Sequence, residues 1–163
     1  MQSPSTQPVR EDMQRRIEQF AGQVVTDLAA AMAGVMINLG HKLGLYRAMA
    51  ESGPINSHEL ARRTGTNERS VREWLNGQVA GGYVLFDTNT SEYVLPPEHV
   101  LVLANPDSPA FLPPAFDVAA SLWHGEDKIL AAFRSGNGVG WHEHNCCLFT
   151  GTEAFSATDT GRT

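Results

Sequence analysis

Apolar residues recur at steps of three and four from Met13 onward, through Ile17, Phe20, Val24, Leu28, Ala31, Val35 and Leu39, and this spacing predicts one long helix with a single apolar stripe. The pattern repeats every eleven residues (Met13, Val24, Val35; Ile17, Leu28, Leu39), close to the pitch of a straight α-helix. Gly40 and Gly44 predict a bend or restart before Leu45, Tyr46, Ala48 and Met49 continue an amphipathic pattern. Gly53 and Pro54 then stop it. A short helix over His58 to Arg63, capped by Ser57, is expected next, followed by a turn at Thr64 to Asn67. Glu68 to Ala80 reads as a second helix, with Val71, Trp74, Leu75, Gln78 and Val79 on one face.

After Gly81 and Gly82 the period changes from that of a helix to that of a strand. Tyr83 to Phe86 predicts one strand, Asp87 to Ser91 a polar turn, and Tyr93 to Leu95 the returning strand. Helix, turn, helix and hairpin in that order make a winged helix-turn-helix. The expected fold is therefore mainly α, with a long N-terminal dimerisation helix and a small β-hairpin wing. Beyond it the chain predicts a short helix from Val100 to Ala104, a proline-rich connector from Pro106 to Pro114, and a helix from Ala115 to Phe133 that Gly125 can interrupt. A glycine-rich loop, 135–140, precedes a helix-then-loop segment from Trp141 to Phe155 that turns around Gly151. Residues 1–9 and 156–163 read as polar tails flanking one domain, 10–155.

Composition narrows the picture. With 163 residues and 42% hydrophobic content, one domain with a real core is the expectation. Twelve Lys and Arg against eighteen Asp and Glu give a net charge of −6, which argues against general attraction to nucleic acid or an anionic membrane. No run is expected to approach the ~18 apolar residues of a membrane span, the start lacks a signal-peptide pattern, and Cys146 and Cys147 are neighbours that cannot bridge each other without strain. A cytoplasmic setting follows as the expectation.

Several stretches invite a chemical reading. The run Gly136, Asn137, Gly138, Val139, Gly140 looks like a phosphate loop, but it follows a helical pattern instead of a strand and has no GK[ST] ending. His142 and Cys146 would share a face of a helix, as two zinc ligands could, yet no second ligand pair is evident. No hydroxyl, imidazole and carboxylate group as a triad, and no catalytic, metal or cofactor-binding residue is assigned. For DNA reading, Arg69 and Arg72 are the candidates on the second helix of the turn. Against them, 55–95 holds four Arg and five acidic residues, a net of −1, and the hairpin tip has no cation.

The segments INLGHKLGLYRAM, GPINSHELARRTGTNERSVREWLNGQVAGGYVLF and YVLPPEHVLVL, followed by GNGVGWHEHNCCLFTGTEAF, resemble the N-terminal region of class I S-adenosylmethionine-dependent methyltransferases. The type is the small-molecule O-methyltransferase with a winged helix, in the actinobacterial subgroup often labelled transcriptional regulator. The resemblance spans Val24 to Phe155. It implies that the winged helix and the long helix build a homodimer and one wall of a substrate pocket, while a Rossmann-like domain holds S-adenosylmethionine. No strand, glycine turn and acidic residue of that second domain occurs in this sequence, so the expectation is a truncated member that retains the dimerisation and substrate-pocket module and is inactive alone. The resemblance places Phe20, Val24 and Leu28 at a dimer face, and Met36, Trp123, Trp141 and His142 on the wall of a small-molecule pocket. The alternative is a winged-helix DNA-binding regulator using Arg69 and Arg72.

Overall fold

The computed structural model describes residues 7–159. They form α1 (Gln7–Lys42), α2 (Leu45–Ser52), α3 (Ser57–Thr64), α4 (Glu68–Ala80), β1 (Leu85–Asp87), β2 (Glu92–Val94), α5 (Pro97–Leu103), α6 (Pro113–His124), α7 (Glu126–Ser135), a 3-10 turn (Trp141–Glu143) and α8 (Cys146–Asp159). By internal contacts the chain divides into two compact units, one ending at Gly34 and the other beginning at Val35. The described residues of the first, 7–34, are all helical.

Within the first unit the apolar stripe lies on the surface, with Met13, Ile17, Phe20, Val24 and Leu28 all exposed. Arg10–Lys42 is also long and apolar enough to cross a membrane by length and composition, with a mean hydropathy of 1.6 in its most apolar 18 residues. This corrects the expectation that no run comes near a span. Asp27 lies in every 18-residue window of that stretch, and a carboxylate at the centre of a bilayer costs roughly 2.5–3.5 kcal/mol. The helix starts at Gln7, earlier than the tail expected up to Val9.

The second unit is built around Trp74. Its indole Nε1 donates to the carbonyl of Met36 at 2.8 Å, and its ring meets Tyr46 edge-on at 5.0 Å. Tyr46 in turn donates its hydroxyl to Gln78 Oε1 at 2.5 Å, so the one fully buried amide of α4 is satisfied inside the core. Ile37, Leu45, Met49, Ile55, Leu60, Leu75 and Val84 close around these groups. Gly40 makes this possible: a Cβ there would stand 2.4 Å from Trp74 Cζ2 and 2.7 Å from Tyr46 Cε2.

Local chemistry explains where the elements start and stop. Asn56, and not Ser57, caps α3, its side chain accepting from the Glu59 amide at 3.0 Å. Ser57 is the first helical residue and donates to Glu68 Oε1 at 2.7 Å, tying α3 to α4. Gly65 ends α3 with φ 63°, and Asn67 caps α4 by accepting from Ser70. The first strand begins at Leu85, later than the expected Tyr83, because the amides of Tyr83 and Val84 both bond the Gln78 carbonyl and so finish α4. β1 and β2 pair antiparallel in the register Leu85↔Val94, Phe86↔Tyr93, Asp87↔Glu92. Tyr93 also exchanges both backbone bonds with Ile55, which anchors the wing to the chain entering α3.

Gly125 separates the expected single helix into α6 and α7. Gly151, by contrast, does not turn the chain. It lies inside α8, where a Cβ would come within 2.9 Å of the Pro114 carbonyl and 3.0 Å of Val118, so this glycine permits α8 to pack closely on α6. The α8 helix continues to Asp159, beyond the expected end at Phe155. Since Trp141–Glu143 is a separate 3-10 turn, His142 and Cys146 do not share a helix face.

Candidate functional site

Two surfaces carry the sequence-based expectations. On α1, Phe20, Val24 and Leu28 are 67%, 51% and 58% exposed, and their spacing of four puts them in one row. Polar neighbours pair with one another along the same helix, Gln14 with Glu18 and Arg15 with Asp12. An apolar row of this length facing water is unusual for a folded protein.

The proposed pocket residues lie apart in character. Met36 is half-buried against the core beside Trp74. Trp123 and Trp141 are 72% and 62% exposed, and His142 is exposed as well. Trp141 stands edge-on to Phe149 at 5.2 Å, which holds the 3-10 turn against α8. None of the four lines the clefts that α7 makes with residues 137–145.

A polar cluster that sequence reasoning missed joins α1 to α6. Asn38 donates from Nδ2 to Asp117 Oδ1 at 3.0 Å, and Lys42 Nζ reaches the same oxygen at 2.6 Å. The hydrogen bond to Asp117 holds the Lys42 ammonium above its ordinary range. Burial pushes the neighbouring His41 imidazole down, with Asp117 partly opposing the shift. Asn38 and Lys42 are spaced for one helix face, but Asp117 is 79 residues from Asn38, and no local signal links them. Asn38 Oδ1 is buried without a hydrogen-bond partner among the described residues.

The cations of the helix-turn-helix are largely spoken for. Arg62 and Arg63 both bond Glu59, at 2.7 and 2.8 Å, and Arg72 lies 3.6 Å from Glu68. Arg69 is exposed and makes no ion pair among the described residues. One unengaged arginine on a module of net charge −1 is a poor phosphate clamp. The paired arginines also have a measurable consequence. Their hydrogen bonds hold the Glu59 carboxyl near 2, below its ordinary 4.5. A depressed carboxyl stabilises the fold above pH 4.5 and loses that contribution as pH falls through about 2. Glu59→Gln is therefore expected to lose less of its thermal midpoint than the parent between pH 4.5 and 2, as followed by circular dichroism.

The glycine-rich loop lacks the strand-to-helix geometry of a nucleotide-binding turn. Gly136 takes φ 75° as the C-cap of α7, so the glycine-rich loop closes a helix instead of joining a strand to a helix N-terminus. The only sheet among the described residues is the two-stranded wing. No group of three or more His, Cys, Asp or Glu that could hold a metal occurs among them either.

Comparison with known proteins agrees with this architecture. A family model described as the Rv2258c-like winged HTH domain matches residues 30–105. No curated protein matches the chain. Among solved structures, the mitomycin 7-O-methyltransferase MmcR superposes with a TM-score of 0.65 at 19% identity, covering 90% of this chain and 46% of its own. An O-methyltransferase family protein from Burkholderia thailandensis gives 0.66 at 11% identity, covering 86% and 42%. PigF, solved with SAH, gives 0.64 at 16%, covering 85% and 44%. The chain thus spans less than half the length of each of these structures. Over residues 30–105, just under half of its length, the chain is similar to the Rv2258c-like winged HTH domain, and it shares its winged-helix fold with these solved structures.

Proposed function

We propose that this chain supplies the dimerising, substrate-side module of a small-molecule methyltransferase-type protein, and that the residues described here do not hold the methyl donor. The exposed apolar row on α1 carries this reading, because such a row is stabilised when a second copy covers it. The acidic helix-turn-helix supports it: with Arg62, Arg63 and Arg72 already paired, the module is suited to protein contact more than to phosphate contact. Trp123 and Trp141 would offer the small-molecule side its apolar surface. In such a protein the donor would be held by residues other than these.

Calorimetric titration with S-adenosylmethionine, alongside sedimentation of the same sample, tests the proposal. A dimer that takes up no S-adenosylmethionine is the expected result. Micromolar binding of the donor, or a monomer at all concentrations, would overturn it. A salt-dependent shift of a promoter fragment, abolished by Arg69→Ala with Arg72→Ala, would favour a DNA-binding regulator instead.

A further inference from the structure

Between α7 and the segment 139–145 lies a cleft of about 110 Å³. A single water needs only roughly 10–15 Å³ by the same kind of measure, so the space admits a ligand of several heavy atoms. Ile129 and Val139 give it apolar walls, and His124, Lys128, His144 and Asn145 bring polar groups to it. We propose that this cleft binds a small organic acid, with the carboxylate against Lys128 and the organic body between Ile129 and Val139. The inference requires neither a dimer nor a methyl donor, and so stands apart from the function proposed above.

The hydrogen bonds already made decide which ends of these side chains remain free. Lys128 donates to the Glu143 carbonyl, which holds the ammonium at the cleft and leaves two of its three hydrogens for a ligand. Asn145 accepts the Cys147 amide on Oδ1 at 2.9 Å, so its NH₂ is the end left over. His124 bonds the Ala120 carbonyl through Nδ1 at 2.8 Å, which makes Nδ1 the donor and leaves Nε2 unengaged. His144 is steadied by Trp141, edge-on at 6.0 Å.

The charge count sets the ligand class. Lys128 is the one cation among the lining residues, and Glu143 the one carboxylate. Glu143 turns Oε2 to the Gly140 amide at 2.7 Å, so part of its charge is already met by a hydrogen bond. A monoanion can be stabilised by one ammonium and two neutral donors, the Asn145 NH₂ and a His144 N–H, with a carboxylate nearby, while His124 Nε2 offers an acceptor to the organic body. A dianion such as hydrogen phosphate doubles its attraction to Lys128 and its repulsion from Glu143 alike, while its desolvation cost rises about with the square of its charge and no second cation offsets it. The apolar walls favour an organic body over a bare ion.

Benzoate is a suitable probe, with benzamide as its neutral isostere and inorganic phosphate as the dianion, each titrated into isotopically labelled chain. Benzoate is expected to give saturable shifts of the Gly125, Val139 and Asn145 amides below about 10 mM, within reach of one good charge-assisted contact. Lys128→Gln should weaken it by about tenfold, the worth of that contact. Glu143→Gln keeps an acceptor for Gly140 and should tighten it. Benzamide binding as tightly as benzoate, phosphate binding more tightly, or a Lys128→Gln variant with unchanged affinity would each overturn the assignment, as would the absence of saturable shifts.

Discussion

A Val24→Glu, Leu28→Glu double variant is expected to sediment as a monomer at concentrations where the parent chain is a dimer. Both side chains lie on the exposed row of α1 with Phe20, one helical turn apart. Neither belongs to the core cluster around Trp74, and glutamate is a good helix former, so helix content should be unchanged. In a homodimer the row of each copy would be buried, and four carboxylates, two from each copy, would be taken from water without partners. Each such burial costs a few kcal/mol, and together about 4 kcal/mol is a modest expectation, equivalent to roughly a thousandfold in the dissociation constant. Sedimentation equilibrium across a concentration series reads this directly. Unchanged dimerisation would remove α1 from the interface.

The second large effect belongs to a single methyl group. Gly40→Ala places a Cβ 2.4 Å from Trp74 and 2.7 Å from Tyr46, inside the van der Waals radius of two aromatic rings that already touch. Relief requires moving Trp74, and that stretches its bond to the Met36 carbonyl. Overpacking of this kind costs up to about 3 kcal/mol, or roughly 10 °C in Tm for a chain of this size. Gly77→Ala is the matched control. Its Cβ would meet only Met36 Cε, at 3.8 Å, an ordinary contact, and alanine is the better helix former by up to about 1 kcal/mol. One Gly→Ala change should lower Tm and the other raise it, and calorimetry on the pair separates close packing from helix propensity. Equal responses would mean that the Gly40 contact is not what limits stability.

These contrasts show which parts of the molecule are legible in its sequence. The second helix of the turn is read correctly at both ends, Glu68 and Ala80, because the turn before it, its apolar face and its two terminal glycines are all local in sequence. The break at Gly125 is equally local. Ser57 and Asn56 are both competent caps, and sequence alone does not show that Ser57 is engaged by Glu68, eleven residues on. Gly151 looks like a turn because the reason for it is Pro114 and Val118 on another helix. The same holds for the site. The apolar row of α1 follows from periodicity, whereas the grouping of Asn38, Lys42 and Asp117, and of His124, Lys128 and Asn145, depends on contacts that no spacing encodes.

The pair of backbone bonds between Ile55 and Tyr93 makes the helix-turn-helix a loop closed at its neck. The chain enters and leaves the module side by side, which brings α2 against α5 although the whole module lies between them in sequence. The entropy of joining those distant ends is met once, at a seam one residue pair wide. The segment between Ile55 and Tyr93 behaves as an inserted cassette, free to change its outward-facing residues without altering the path of the scaffold that carries it.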